Sequence, residues 1–167
     1  TLAGSSAASD VYKRQRLEQQ PDWHQQISQM PTTVLNTIAA QLENQRLNHT
    51  LAKAFILRGK TSIDEGEKAA CLRAISQSTD AASRQQWLQQ IMAKETTVGV
   101  ELLATIASKC SEDLLTSDLM GLFVHQCAAD QAIFNALVQE LMFRPKARIR
   151  VLDCLLYTSP SPRDSSE

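Results

Sequence analysis

Thr97–Ala128 reads TVGVELLATIASKCSEDLLTSDLMGLFVHQCA. Ahead of the polar break Cys110–Asp113, Leu102, Leu103 and Ile106 recur at the spacing of one helix face. Beyond the break, LLTSDLMGLFVHQCAA from Leu114 reads as a second helix that is apolar almost all the way round. A helix of that kind needs neighbours on several sides. The stretch is therefore expected to be the packing centre of the fold, with Leu102, Ile106, Leu122 and Phe123 in the core. Thr97 opens its first helix in this reading. Ser111 or Ser117 opens its second, with a break between Leu115 and Leu119.

Working outward, the remaining segments read as amphipathic helices with one apolar stripe each. Asp22 caps a short helix through Met30, and Pro31 separates it from one starting near Thr32 with Val34, Leu35, Ile38 and Leu42 as its stripe. Asn44–Asn48 form a turn. The next helix carries Leu51 and Phe55 and is expected to end at Gly59, where glycine takes a left-handed conformation cheaply. Ser62 and Glu65 have the spacing of a capping box. Asp80 caps a helix that buries Trp87, Leu88, Ile91 and Met92. Asp130 caps another, with Ile133, Phe134, Leu137, Val138 and Leu141 inward, and Pro145 stops it. The helix that follows Lys146 has a basic first turn, which opposes the helix dipole.

Paired in order, these helices make hairpins whose first members begin near Thr32, Ser62, Thr97 and Asp130. That spacing of roughly thirty to thirty-five residues lies in the range of helical-repeat units. The expected class is all-α, an array of antiparallel helical hairpins, either irregularly repeat-like or an orthogonal bundle, of about eight or nine helices. Abundant Gln, Ala and Leu favour helix, and β-branched and aromatic residues are too few for a strand-rich fold.

Both ends read as something other than protein-coding sequence. Ser5–Gln15, SSAASDVYKRQ, is the in-frame translation of a transposon-based sequencing adapter, and Cys154–Asp164, CLLYTSPSPRD, is that of the opposite adapter. Residues 1–15 and 154–167 are accordingly expected to be translated adapter. Residues 16–153 are expected to be a single helical domain, a fragment from inside a longer reading frame. An extension of the last helix into Cys154–Tyr157 would then be an accident of its apolar composition.

The formal net charge is −1. It stays there when the charged residues of the two terminal stretches are set aside, so no global charge draws the chain to nucleic acid or an acidic membrane. Of four cysteines, Cys154 falls in the terminal stretch. Cys71, Cys110 and Cys127 are odd in number and scattered, which suits neither a disulfide framework nor a zinc site. They fit buried thiols in a reducing compartment, the bacterial cytoplasm by default.

Motifs with chemistry are scarce. His125 and Cys127, two apart on a helix, point to different faces and read as packing residues. Asp64, Glu65, Glu67, Glu112 and Asp113 sit in first turns, where negative charge complements the dipole. Gly59-Lys60-Thr61 lacks the glycine and strand that a phosphate-binding loop requires. The one basic cluster is Arg144, Lys146, Arg148 and Arg150, a candidate contact for an anionic partner without an interleaved aromatic to stack a base. No catalytic, metal or cofactor-binding residue is assigned and no cofactor is expected.

The segments Ile27-Ser28-Gln29-Met30-Pro31, Leu72-Arg73-Ala74-Ile75, Glu101–Ala107 and Phe134–Leu141 resemble the C-terminal helical part of an uncharacterised gammaproteobacterial family of unknown function. The resemblance implies no activity and carries over no functional residue. The expected role is a non-catalytic structural or protein-interaction module, partnered by another protein or by other parts of its own chain. The alternatives are a nucleic-acid-binding helical repeat using residues 144–150, or the non-catalytic part of an enzyme whose active site lies elsewhere. No membrane segment is present in the fragment.

Overall fold

The computed structural model describes residues 22–93, 96–116 and 118–157. Among them the chain is all-α, with ten helices, eight of them of seven residues or more. The short helix Trp23–Ser28 is the one expected after Asp22, and Ser111–Leu114, separate from the helix that follows it, makes the tenth.

In order, α1 spans Trp23–Ser28, α2 Thr32–Leu42, α3 His49–Thr61, α4 Glu65–Ile75, α5 Ala81–Met92, α6 Val100–Lys109, α7 Ser111–Leu114 and α8 Leu119–Cys127. Then α9 (Gln131–Ile133) runs without a break through a π-helical segment, Phe134–Val138, into α10 (Gln139–Met142), and α11 covers Pro145–Tyr157. The caps follow from residue type. The side chains of Asp22, Asn48, Asp80 and Asp130 each accept from the first free backbone N–H groups of α1, α3, α5 and α9. Pro31 and Pro145 stand at the starts of α2 and α11, where a missing N–H costs nothing.

With the four-residue α7 left out and α9, the π-helical segment and α10 taken as one helix, helices two apart in the chain lie against each other. α1 packs on α3, α3 on α5, α5 on α8 and α8 on α11; α2 packs on α4, α4 on α6, and α6 on the π-helical segment. The helices expected near Thr32, Ser62, Thr97 and Asp130 start at Thr32, Glu65, Val100 and Gln131, and each packs on the next. The two rows meet where α3 touches α4, where α8 touches the π-helical segment and where α10 touches α11.

The packing centre differs from the one expected. α4 touches α2, α3 and α6, and six of its residues, Ala69, Ala70, Cys71, Leu72, Ala74 and Ile75, are buried. Four of those six are small, so three neighbouring helices can approach its axis closely; small side chains also weigh little in an apolar stripe, so the helix, expected from Ser62 with Leu72 and Ile75 inward, did not stand out as the packing centre. The stretch Thr97–Ala128 does supply core, with Leu102, Ile106 and Phe123 buried. Leu122 is only partly buried, packed at the edge of the core. The break between Leu115 and Leu119 is present, while Ser117 lies outside the described residues.

Three boundaries also moved. The helix expected to open at Thr97 opens at Val100, with Gly99 before it. Ser62 does not cap α4; Asp64 does, accepting from the Gly66 N–H. And α3 continues through Gly59 to Thr61. Gly59 is there because a Cβ at that position would overlap Cζ2 and Cη2 of the buried Trp87 indole, which seats α5 on the backbone of α3.

Gly59→Ala should accordingly destabilise the protein. Alanine gains about 1 kcal/mol of helix propensity, but overpacking against a fully enclosed ring costs about 1–3 kcal/mol and more when ring carbons overlap, so a net loss of about 2 kcal/mol is expected. Urea unfolding measures it. In a Trp87→Phe background, which removes the overlapping atoms, the alanine should cost nothing further; simple additivity would contradict the account.

Candidate functional site

Most ionisable groups of the interior are consumed in tying helices together. Arg58 of α3 is buried, and its Nη1 donates to the carbonyls of Ile27 (2.8 Å), Ser28 (3.1 Å) and Met30 (2.8 Å) around the end of α1. Its Nη2 lies 3.2 Å from Glu67 Oε2. The same carboxylate accepts from the hydroxyls of Thr32 and Ser62. One part-buried cluster around Arg58 thus joins α1, α2, α3 and α4.

A second cluster repeats the device one step on. Arg84 of α5 donates to Asp113 from Nε (2.6 Å) and Nη2 (3.0 Å), and its Nη1 reaches the Ser78 carbonyl (2.9 Å) past the end of α4. Gln85 Nε2 adds a third donor to Asp113 at 3.1 Å. A third tie is neutral: Gln126 of α8 donates to the Met92 carbonyl at the end of α5 and accepts from the Val98 N–H. A fourth places the Glu65 carboxylate on the Gly99 N–H (2.9 and 3.2 Å), so that α6 is capped by a side chain of α4. Glu43, at the end of α2, meets Arg73 of α4 and Lys109 of α6.

The sequence reading placed Glu65, Glu67 and Asp113 in first turns as dipole partners. The structure gives each a specific partner roughly thirty residues away. Arg58, Arg84 and Gln126 were not singled out; the available signal was their position within otherwise apolar stripes.

Hydrogen bonds from Thr32 and Ser62, with Arg58, outweigh burial and hold the Glu67 carboxyl below its ordinary value of 4.5. Hydrogen bonds from Ser83, reinforced by His49, hold Asp80 below its ordinary 3.8. Between the folded and unfolded values the unfolded chain binds more protons. The stabilisation is therefore complete above these ordinary values and is lost as pH falls through the lower, folded ones. Urea midpoints taken from pH 7 down to pH 3 should show this acid limb. Glu67→Gln should be less stable at pH 7 and lose less on acidification; parallel curves for the two proteins would contradict it.

Cys71, Cys110 and Cys127 are buried, and burial pushes each thiol up to about 12, leaving it protonated and inert near neutrality. His125 is exposed and Cys127 buried, on different sides of α8, as their spacing requires. Among the described residues no three His, Cys, Asp or Glu side chains gather to hold a metal ion, and no helix is long and apolar enough to cross a membrane.

The basic cluster does not converge. Arg144 is half-buried and pairs with Glu140 at 3.7 Å. Lys146, Arg148 and Arg150 are exposed on α11, where Lys146 and Arg150 share a face and Arg148 lies roughly 200° round from Lys146. The first turn of α11 holds no acidic residue, so its basic start is not compensated there.

What the surface does offer is a chain of cavities along the row α1, α3, α5, α8 and α11. The first, of about 330 Å³, is lined by His24 of α1, Lys53, Ile56, Leu57 and Lys60 of α3, and Ser83 and Gln86 of α5. The second, of about 310 Å³, lies between α5 and α8 and shares Gln86 with the first. The third, of about 530 Å³, lies between α8 and α11 and shares Asp118 and Leu122 with the second. Leu122 is incompletely buried because it forms a wall of both. Cys154 and Tyr157 line the far side of the third cavity, within the stretch read from sequence as adapter.

Fold and surface together define an all-helical chain, cross-linked by buried ion pairs and open along one row of helices. The chain belongs to DUF3549, a family of proteins of unknown function, which matches residues 7–164. That span takes in most of both terminal stretches, 1–15 and 154–167. Neither a curated protein nor a solved structure matches the chain.

Proposed function

We propose that this chain is a non-catalytic helical-repeat module that binds another protein. One observation carries the reading: the buried ionisable groups are matched to one another and to helix ends, Arg58 with Glu67 and Arg84 with Asp113, while the surface of one helix row carries connected cavities. Groups so paired are structural ties rather than acids, bases or nucleophiles held ready for a substrate. The recurrence of helices starting at Thr32, Glu65, Val100 and Gln131, each against the next, supports the repeat. The buried free thiols support a reducing, cytoplasmic setting. A nucleic-acid reading through residues 144–150 draws less support, because Arg144 is paired to Glu140 and the other three cations are spread around α11.

The test is capture on the immobilised full chain, followed by reconstitution with the purified captured protein. A binary complex of fixed stoichiometry is expected. Turnover of a small molecule by the purified chain, with no complex reconstituted, overturns the proposal.

A further inference from the structure

We propose that the three connected cavities form one groove for an extended peptide segment of the partner, acidic at the end that lies over α1 and α3 and apolar at the end that lies between α8 and α11. The inference rests on the protein-binding reading above and adds the surface and the chemistry of what it holds.

Continuity is the first argument. Gln86 belongs to both the first and second cavities, and Asp118 and Leu122 to both the second and third. The groove therefore crosses α3, α5, α8 and α11. Three interhelical steps of about 8–10 Å give a track of roughly 25–30 Å, which about eight residues of extended chain would fill.

The floor is the second argument. Gln85, Gln86 and Gln89 of α5 line the middle cavity. A glutamine amide both donates and accepts, so it suits the alternating N–H and C=O groups of an extended backbone without selecting a charge. Gln85 is committed to Asp113, while Gln86 and Gln89 stand exposed.

Charge sets the direction. The first cavity presents Lys53, Lys60 and His24 and has no carboxylate in its wall. The third is apolar over most of its wall, with Leu122 and Tyr157 at the surface over the buried Met120, and its charged side chains are Asp118, Asp153 and Arg150 beside His125. A nucleic-acid strand following the same track would carry phosphates past both of those carboxylates over a neutral floor, so the electrostatics favour a peptide.

The experiment is selection of a randomised decapeptide library on the full 167-residue chain, with binding of the selected peptides read by fluorescence anisotropy. Expected are Asp and Glu enriched at one end and apolar residues at the other, with affinity at least about tenfold above that of the charge-reversed peptide. Lys53→Glu with Lys60→Glu should reverse that preference, and Gln86→Ala with Gln89→Ala should weaken both peptides by a similar factor of several-fold. All four positions are exposed or half-buried on the surface, and circular dichroism with a thermal melt verifies that the variants fold. Equal binding of the acidic and reversed peptides overturns the proposal, as does tighter binding of a single-stranded oligonucleotide, or self-association that the double lysine variant abolishes. No enrichment at all overturns it too. If the reconstituted partner complex survives the lysine reversal unchanged, the groove is wrong and the protein-binding reading stands. If no complex forms with any partner, that reading falls as well.

Discussion

Asp113→Ala is expected to cost about 3–5 kcal/mol, because it strands a guanidinium inside the fold. Arg84 and Asp113 expose only 10% and 5% of their side chains. In the native protein the guanidinium reaches both carboxylate oxygens as well as the Ser78 carbonyl. Without the carboxylate, the carbonyl dipoles alone cannot balance a unit charge out of water. The loss corresponds to a melting temperature lower by roughly 10–15 °C in a chain of this size. Replacing both members by apolar residues, Arg84→Met with Asp113→Leu, should recover most of that loss, since a buried pair repays little more than its own desolvation. Chemical denaturation of the two singles and the double measures the coupling. A single Asp113→Ala variant within about 1 kcal/mol of wild type would show that water reaches the pair and that the two helices are held by apolar contact alone.

The second large effect is alkaline. Burial raises the thiols of Cys71, Cys110 and Cys127 from 9.0 to about 12. Between these values the unfolded chain releases the protons and the folded chain keeps them. Stability is unaffected well below pH 9 and falls as pH rises above it, each of the three thiols adding to the slope. Urea midpoints between pH 7 and pH 11, in the presence of a reductant, should drop steeply. A variant with alanine at all three positions should be less stable at pH 7 but nearly flat across the same range. Equal slopes in the two proteins would show that the decline comes from other groups.

Much of the helical layout was legible because it is set locally. Asp22, Asp80 and Asp130 fall at the N-caps expected of them, and Pro31 and Pro145 mark the boundaries that a missing N–H dictates. Trp87, Leu88, Ile91 and Met92 are all buried, as one apolar stripe requires. What escaped was decided between helices. Ser62 and Glu65 have capping-box spacing, yet Glu65 turns outward to cap α6 and Ser62 serves Glu67. Gly59 looked like a stop signal and is instead a seat for an indole ring. The π-helical segment Phe134–Val138 carries no residue that distinguishes it from plain α-helix. The cavities depend on which side chains are left at the edge of the row, and Leu122 was misplaced in the core for that reason.

The ties between helices share one property: Arg58 reaches back 31 residues to Ile27, Asp113 reaches back 29 to Arg84, Gly99 reaches back 34 to Glu65, and Gln126 reaches back 34 to Met92. Every pair of helices in extensive contact is likewise close in chain order. A polypeptide wired this way can close each tie soon after the second partner leaves the ribosome, without waiting for its far end. Synthesis and folding can advance in step, and the exposed apolar surface at any moment is limited to the most recently made helix or two.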